Sequence, residues 1–322
     1  VGDMIPELGA AEEVQRIAPC AVRVLANNPS PMTLNGTNTY VLAAAGQGVV
    51  VDPGPTQRAH LDAIIAGADL LGVSITTIIT THSHPDHTAG VPTLAEHTGA
   101  EVVTAAELAG HGGTFRRAAD LQPAGSAETI TGTPARLSTP ARLSTPYQNA
   151  CPPSAGSVTS ADDAGRRHSV GGGCPSSIKG VVAIATPGHS ADSVCLLEPG
   201  EGLLFTGDTI LGRGTSVIAH PDGHLADYLA SLDRIEELFS AGRARRLLPG
   251  HGPEVADPLQ WLRFYRDHRH ERLVEVRAAV ERYGPSVELV TAAVYPDTTG
   301  QIRTAACMIV RAQVEYLAKE HQ

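Results

Sequence analysis

Short apolar runs alternate with turn-forming residues over the first hundred positions. AVRVLA at 21–26, TYVLAAA at 39–45 and GVVVDPG at 48–54 predict strands, the last ending in an acidic turn. Over 57–70 the apolar spacing becomes helical, with Leu61, Ile64, Ile65 and Ala68 on one face. ITTIIT at 75–80 is β-branched throughout, which predicts a buried strand. It runs directly into THSHPDH, 81–87. Residues 88–98 then predict a helix and AEVVT, 100–104, another strand. Strand and helix in alternation point to an α/β layered fold.

From about 122 to 177 this patterning stops. The stretch is rich in Pro, Gly, Ser, Thr and Ala, and it carries TPARLS twice, at 133–138 and 139–144. Such a segment buries too little apolar surface to offset the entropy of ordering it. It is expected to be an insertion: a mobile loop, a linker or a lid. Patterning returns with KGVVAIATPGH, 179–189, and with DSVCLLEPGEGLLFTGDT, 192–209, which predicts a hairpin turning at Pro199–Gly202. Residues 225–241 predict an amphipathic helix on Leu225, Tyr228, Leu229, Leu232, Ile235, Leu238 and Phe239, and ARRLLPGHG a further strand. Beyond Pro258 only helical periods remain, over 258–283, about 286–294 and 301–319. The expected division is a catalytic domain over 1–257 and a small helical unit over 258–322.

Four apolar strands lead into histidine or aspartate: TTIITTHSHPDH, VVAIATPGH, GLLFTGD and RRLLPGH. If they share one sheet edge, His82, His84, Asp86, His87, His189, Asp208 and His251 converge on one cleft. A lone histidine after a glycine is ordinarily a loop residue. Seven such side chains at strand ends, in this order, point instead to a dinuclear metal site. Imidazole nitrogen and carboxylate oxygen suit zinc, and also iron or manganese. Alternation puts His82 and His84 on one side, leaving Asp86 and His87 for a second ion. Pro85 stiffens the turn, and Gly188 and Gly250 permit close approach to a ligand.

Charge and composition narrow the partners. The 322-residue chain carries a formal charge of −10, which opposes nonspecific binding to nucleic acid or an anionic membrane. No apolar stretch approaches the roughly 18–20 residues that span a bilayer. VGDMIPELGA has no signal-peptide pattern. The five cysteines lack zinc-ribbon spacing, so a reducing cytoplasm is the expected location.

The order and spacing of these motifs resemble the metallo-β-lactamase fold superfamily over roughly 20–255, the insertion excepted. The resemblance implies an αββα sandwich. It places one metal on His82, His84 and His189, a second on Asp86, His87 and His251, and Asp208 between them. Aspartate at 208, where common zinc β-lactamases carry cysteine, fits the hydrolase branches. NPSPMTLNGTNTYVL (28–42), GDTILGRGTSVIAHPDGHLADYLASLDRI (207–235), LLPGHGPEVADP (247–258) and HRHERLVEVRAAV (268–280) resemble more closely the lactamase-β-like-2 group and its bacterial relatives. That group includes an animal endoribonuclease and has a winged-helix-like C-terminal unit, which corresponds to 258–322, although no wing-like hairpin pattern occurs there.

The expected chemistry is hydrolysis. Two Zn2+ ions about 3.5–4 Å apart bring a bridging water towards neutral pKa, and the resulting hydroxide attacks an ester, thioester, amide or lactam carbonyl, or a phosphodiester. Asp86 would orient that hydroxide or shuttle a proton. Asn38, Arg213, Thr215 and Ser216 are candidates for the substrate side. Tyr40 fits either the cleft or the sheet core, and Asp52 fits a hydrogen-bonding role beneath the metal turn. The arginines of FYRDHRHERLVEVR either follow a phosphate backbone or pair with Asp267, Glu271 and Glu275 on a solvated face. Four functions stay open: a small-molecule hydrolase, an endoribonuclease on single-stranded RNA, a β-lactam hydrolase and a di-iron redox protein. A homo-oligomer is compatible with each.

Overall fold

The computed structural model describes residues 14–109, 177–178 and 180–320. The expected insertion therefore lies outside the described residues, Ser177 excepted. Two sheets organise the rest. The first has six strands in sequence order: β1 (Val14–Ala18), β2 (Ala21–Leu25), β3 (Asn38–Ala44), β4 (Gln47–Val51), β5 (Ile75–Ile79) and β6 (Glu101–Val103). Pairing is antiparallel through β4 and parallel from β4 to β6. The second runs β11 (Arg246–Pro249), β10 (Leu203–Gly207), β9 (Val194–Glu198), β8 (Val181–Ala185), β7 (Ser177–Ile178). There β10 and β11 are parallel and the other pairs antiparallel.

Period-two alternation explains the layering. Tyr40, Leu42, Val49, Val51 and Ile79 on one face of the first sheet meet Val181, Ala183, Val194, Leu196, Leu203 and Phe205 of the second. The intervening Val41 and Val50 point to the other face, which α1 (Arg58–Leu71) covers; Val22, Val24 and Val41 lie against Gly67 of that helix. Each fully buried Leu or Ile of α1 contributes about 1.5–3 kcal/mol by leaving water. Gly72, at φ 69°, ends the helix in the left-handed conformation that glycine adopts without penalty. Cys195, Leu197, Leu204 and Leu247 turn to the far face of the second sheet. They share one core with α5 (Leu225–Ser240), α6 (Pro258–Tyr283), α7 (Val287–Val294) and α8 (Gly300–Glu320). The layers are thus α, β, β, α, with the C-terminal helices extending the second helical layer. Residues 258–320 contain no strand.

Three elements depart from the sequence reading. β1 is an additional edge strand, too short and too exposed to display a period. The helix expected at 88–98 is two: α2 (Pro85–Thr88) and α3 (Val91–Thr98). Gly90 separates them because its backbone presses on the loop after β4, donating to the Gly54 carbonyl at 2.8 Å; a Cβ there would lie 2.9 Å from the Pro53 oxygen. A short α4 (Ala105–Ala109) follows β6. No helix among the described residues is long and apolar enough to cross a membrane.

Candidate metal centre

β5, β8, β10 and β11 all release their chain at one end of the sandwich. Beyond β5 the chain passes through Thr81–His84 and enters α2, with Pro85 at the helix start and Asp86 and His87 in its single turn. His189 follows β8 after Thr186–Gly188, Asp208 follows β10 directly, and His251 follows β11 after Gly250. Gly250 has to be glycine: a Cβ would stand 2.7 Å from His87 Cε1 and 2.9 Å from Asp208 Oδ1.

The seven expected ligands come together. One group comprises His82, His84 and His189; another Asp86, His87 and His251; a third joins His82, His87 and Asp208. Within each, the donor atoms lie within 4.8 Å of one another. His84 Nδ1 stands 3.0 Å from His82 Nε2 and 3.1 Å from His189 Nε2. His87 Nε2 and His251 Nε2 are 3.2 Å apart. Asp208 spans both groups: Oδ1 lies 3.3 Å from His87 Nε2 and 3.3 Å from His251 Nε2, and Oδ2 lies 3.8 Å from His189 Nε2. Asp86 Oδ2 is 3.1 Å from His251 Nε2.

The far side of each ring fixes its tautomer. His189 Nδ1 lies 2.8 Å from the Val217 carbonyl and His251 Nδ1 3.1 Å from the Gly36 carbonyl, so both must donate there. His87 Nδ1 donates to Asp52 Oδ2 at 2.9 Å. Thr81 Oγ1 gives its proton to Asp52 Oδ2 at 2.7 Å, so it accepts from His82 Nδ1 at 3.1 Å. All four neutral rings therefore turn an Nε2 lone pair inward. Lone pairs facing one another at about 3 Å repel, and one proton on His84 Nδ1 cannot serve two neighbours. A bound cation would satisfy the arrangement, and nitrogen with carboxylate oxygen is a donor set for zinc, iron or manganese. Asp208 Oδ1, buried and without a hydrogen-bond donor, adds to that demand.

Electrostatics agree. Burial drives His82 and His189 below the ordinary imidazole range, the Asp208 carboxylate only partly opposing it. Burial also disfavours charge on His87 and His251, but the carboxylates outweigh it: His87 is raised by Asp208 and Asp52, and His251 is pushed up to about 9 by Asp208 and Asp86. Burial would raise Asp208, yet His87 and His251 hold it well below the usual carboxyl range. Two imidazolium rings with Nε2 atoms 3.2 Å apart would set N–H against N–H. A metal ion between them would supply positive charge beside the carboxylates without that clash.

The family comparison follows the same residues. The profile described as the metallo-beta-lactamase superfamily matches residues 32–251, an interval containing all seven ligand candidates. The chain belongs to the metallo-beta-lactamase superfamily. Within it, the chain is similar to the Beta-lactamase-like protein 2 homolog of Caenorhabditis elegans, 27% identical over 98% of this chain and 90% of the relative. It is also similar to an atrochrysone carboxyl ACP thioesterase of Aspergillus fumigatus, 31% identical over 86% and 69%. A crystal structure of a metallo-beta-lactamase family protein from Thermus thermophilus shares the fold, with TM-score 0.62, 21% identity and 95% of each chain covered.

The residues expected on the substrate side diverge. Arg213 is exposed and Thr215 half-buried, with Arg213 Nη2 3.4 Å from Asn35 Oδ1. Ser216 is buried, its hydroxyl donating to the Thr209 carbonyl at 3.0 Å. Asn38 is buried too, its amide donating to the Pro249 and Gly252 carbonyls at 2.9 and 2.8 Å. Tyr40 belongs to the sheet core and donates to the Pro249 carbonyl at 2.8 Å. Asp52 lies beneath the metal turn, accepting from Thr81 N and Oγ1 at 2.7 Å each as well as from His87. The supports contributed by Thr81 Oγ1 and by the Gly36 and Val217 carbonyls had no sequence signal beyond a threonine adjoining a histidine.

Proposed function

We propose that this superfamily hydrolase is a dinuclear zinc enzyme cleaving an acyl bond, with a thioester or ester of a small molecule as its substrate class. The convergence of imidazole lone pairs on His84 Nδ1 and between His87 and His251 is the observation that carries this reading. His82, His84 and His189 would hold one ion, Asp86, His87 and His251 the other, and Asp208 would contact both. The ion pair, when bound, supplies Lewis acidity towards a carbonyl oxygen and a water acidic enough to react near neutral pH. The side chains do the positioning. Asp208, its side chain 13% exposed, keeps both groups in register; Asp86, at 30%, is the carboxylate with better access to solvent and so suits proton exchange. The acyl choice follows from the thioesterase name carried by a relative 31% identical to this chain.

RNA cleavage, expected from the lactamase-β-like-2 resemblance, ranks second. Two of the α6 arginines are engaged in ion pairs: Arg266 with Asp233 and Glu236, and Arg272 with Glu275. The deciding experiment offers metal-analysed protein an acyl thioester, a simple ester, a chromogenic cephalosporin and single-stranded RNA. Metal-dependent thioester or ester hydrolysis, abolished in H84A, is the expected result. RNA cleavage with inert acyl substrates would reassign the function, and the visible spectrum of a di-iron centre would reassign the metal.

A further inference from the structure

Ten residues, Asp208–Val217, run from the carboxylate shared by both ligand groups to the carbonyl that holds His189. Side chains of the second helical layer pin this segment along its length. Tyr228 donates to the Thr209 carbonyl at 2.7 Å. Tyr265 accepts from Leu211 N at 2.8 Å, and Trp261 Nε1 donates to the Leu211 carbonyl at 2.9 Å. At the far end Arg269 Nη2 donates to the Ser216 carbonyl. Three of these four side chains lie on α6.

Arg269 is unlike its neighbours. It is 4% exposed, forms no ion pair among the described residues, and stacks its guanidinium 5.2 Å from the centre of the Tyr228 ring. Its Nε lacks a hydrogen-bond partner. A buried guanidinium without a carboxylate is costly, and a carbonyl with an aromatic face offsets that cost only in part. A leucine would anchor α6 at lower cost. The placement of the guanidinium matters because its acceptor adjoins the ligand support: Ser216 O and Val217 O belong to consecutive peptide units.

We infer that Arg269 is a positioning residue for the candidate metal centre. Holding Ser216 fixes the Val217 carbonyl, and that carbonyl keeps His189 turned with Nε2 towards His82 and His84. The C-terminal helices are then part of the support of the first ligand group, independent of any contact with substrate. This inference rests on the metal-binding reading above, and its test separates the two.

The test titrates full-length wild type, R269Q, R269K and the control R266Q with Co2+. Visible absorption resolves the binding steps, and the paramagnetically shifted Nδ1 proton of His189 marks the first group. Wild type should bind two ions. R269Q should lose about 10–100-fold in affinity at the first group, as removal of a ligand's support does, with faster solvent exchange of the His189 proton and an unchanged second step. R269K, which keeps the charge but not the fork, should fall between. R266Q breaks an α5–α6 ion pair and should keep both affinities. Wild-type affinities in R269Q overturn the inference, as does an equal loss at both steps accompanied by a lower thermal midpoint. Should R269Q not fold, a folded R269K with unaltered binding overturns it equally. A wild type that binds no ion defeats the metal-binding reading itself.

Discussion

The two ligand groups are built on different supports. His87 and His251 are fully buried, and a carboxylate, Asp52, stands directly behind His87. His82 and His189 rest on neutral acceptors, the Thr81 hydroxyl and the Val217 carbonyl, while His84 is half-buried at the mouth. A carboxylate behind an imidazole raises its basicity, and Asp86 adds a second negative charge to that group. The second group therefore concentrates anionic charge, whereas the first offers neutral nitrogen. Were two like cations bound, as proposed above, the two groups would hold them unequally.

Removing what the groups share should have the largest effect. D208A is expected to lose both ions and at least about 10³-fold in hydrolysis, the scale of deleting a strong charge-stabilising group. Metal analysis beside the rate checks this; retention of one tightly bound ion would show that the groups are independent.

A second test reaches behind the Asp52 support. Asp52 has φ 51°, a left-handed conformation that a non-glycine residue keeps only when held. Thr39 Oγ1 donates to the Asp52 carbonyl at 2.5 Å and so accepts from His60 Nε2 at 2.9 Å. Burial pushes His60 down to about 4. Between pH 6.5 and 4 the unfolded chain then binds a proton that the folded chain does not. This contribution to stability is intact above about pH 6.5, falls as pH drops through that window, and levels off below about 4 after a loss of about 3 kcal/mol. H60Q should flatten the slope; urea unfolding of chelator-treated protein at about pH 7 and about pH 4.5, compared with wild type, measures it.

D52A should affect the groups unequally. The ion held by Asp86, His87 and His251, which loses its direct support, is expected to weaken by about 10–100-fold, and the other by less, through the Thr81 hydroxyl behind His82, as stepwise metal titration would reveal. An equal loss at both would dissolve the contrast. The smallest effect belongs to R246Q. Arg246 and Glu254 form a bidentate pair at 2.6 Å with side chains 32% and 38% exposed, so less than about 1 kcal/mol of stability should be lost, with neither metal affinity altered.

The ligand candidates were legible because each follows an apolar strand, and strand ends of layered sheets gather at one edge. Asp52 was legible for a related reason, as an acid closing a strand beside the histidine turn. Gly36 and Val217 act through their carbonyls, and a main-chain oxygen leaves no trace in residue identity. Ser216 carried a plausible hydroxyl, but its loop turns that group inward to Thr209. Arg269 stood among several helical arginines, and periodicity alone did not mark the one facing the core. The break between α2 and α3 arises from the loop after β4 pressing on Gly90, a long-range contact that local spacing does not encode.

The ligands also come from opposite halves of the sandwich. His84 and His189 are 105 positions apart, and His87 and His251 are 164 apart. An ion on each pair would act as a cross-link closing a very long loop, restricting the unfolded chain as a disulfide does but reversibly. Metal supply would then govern how long the seam between the halves stays shut, and chelation should expose it to proteases before the outer helices melt.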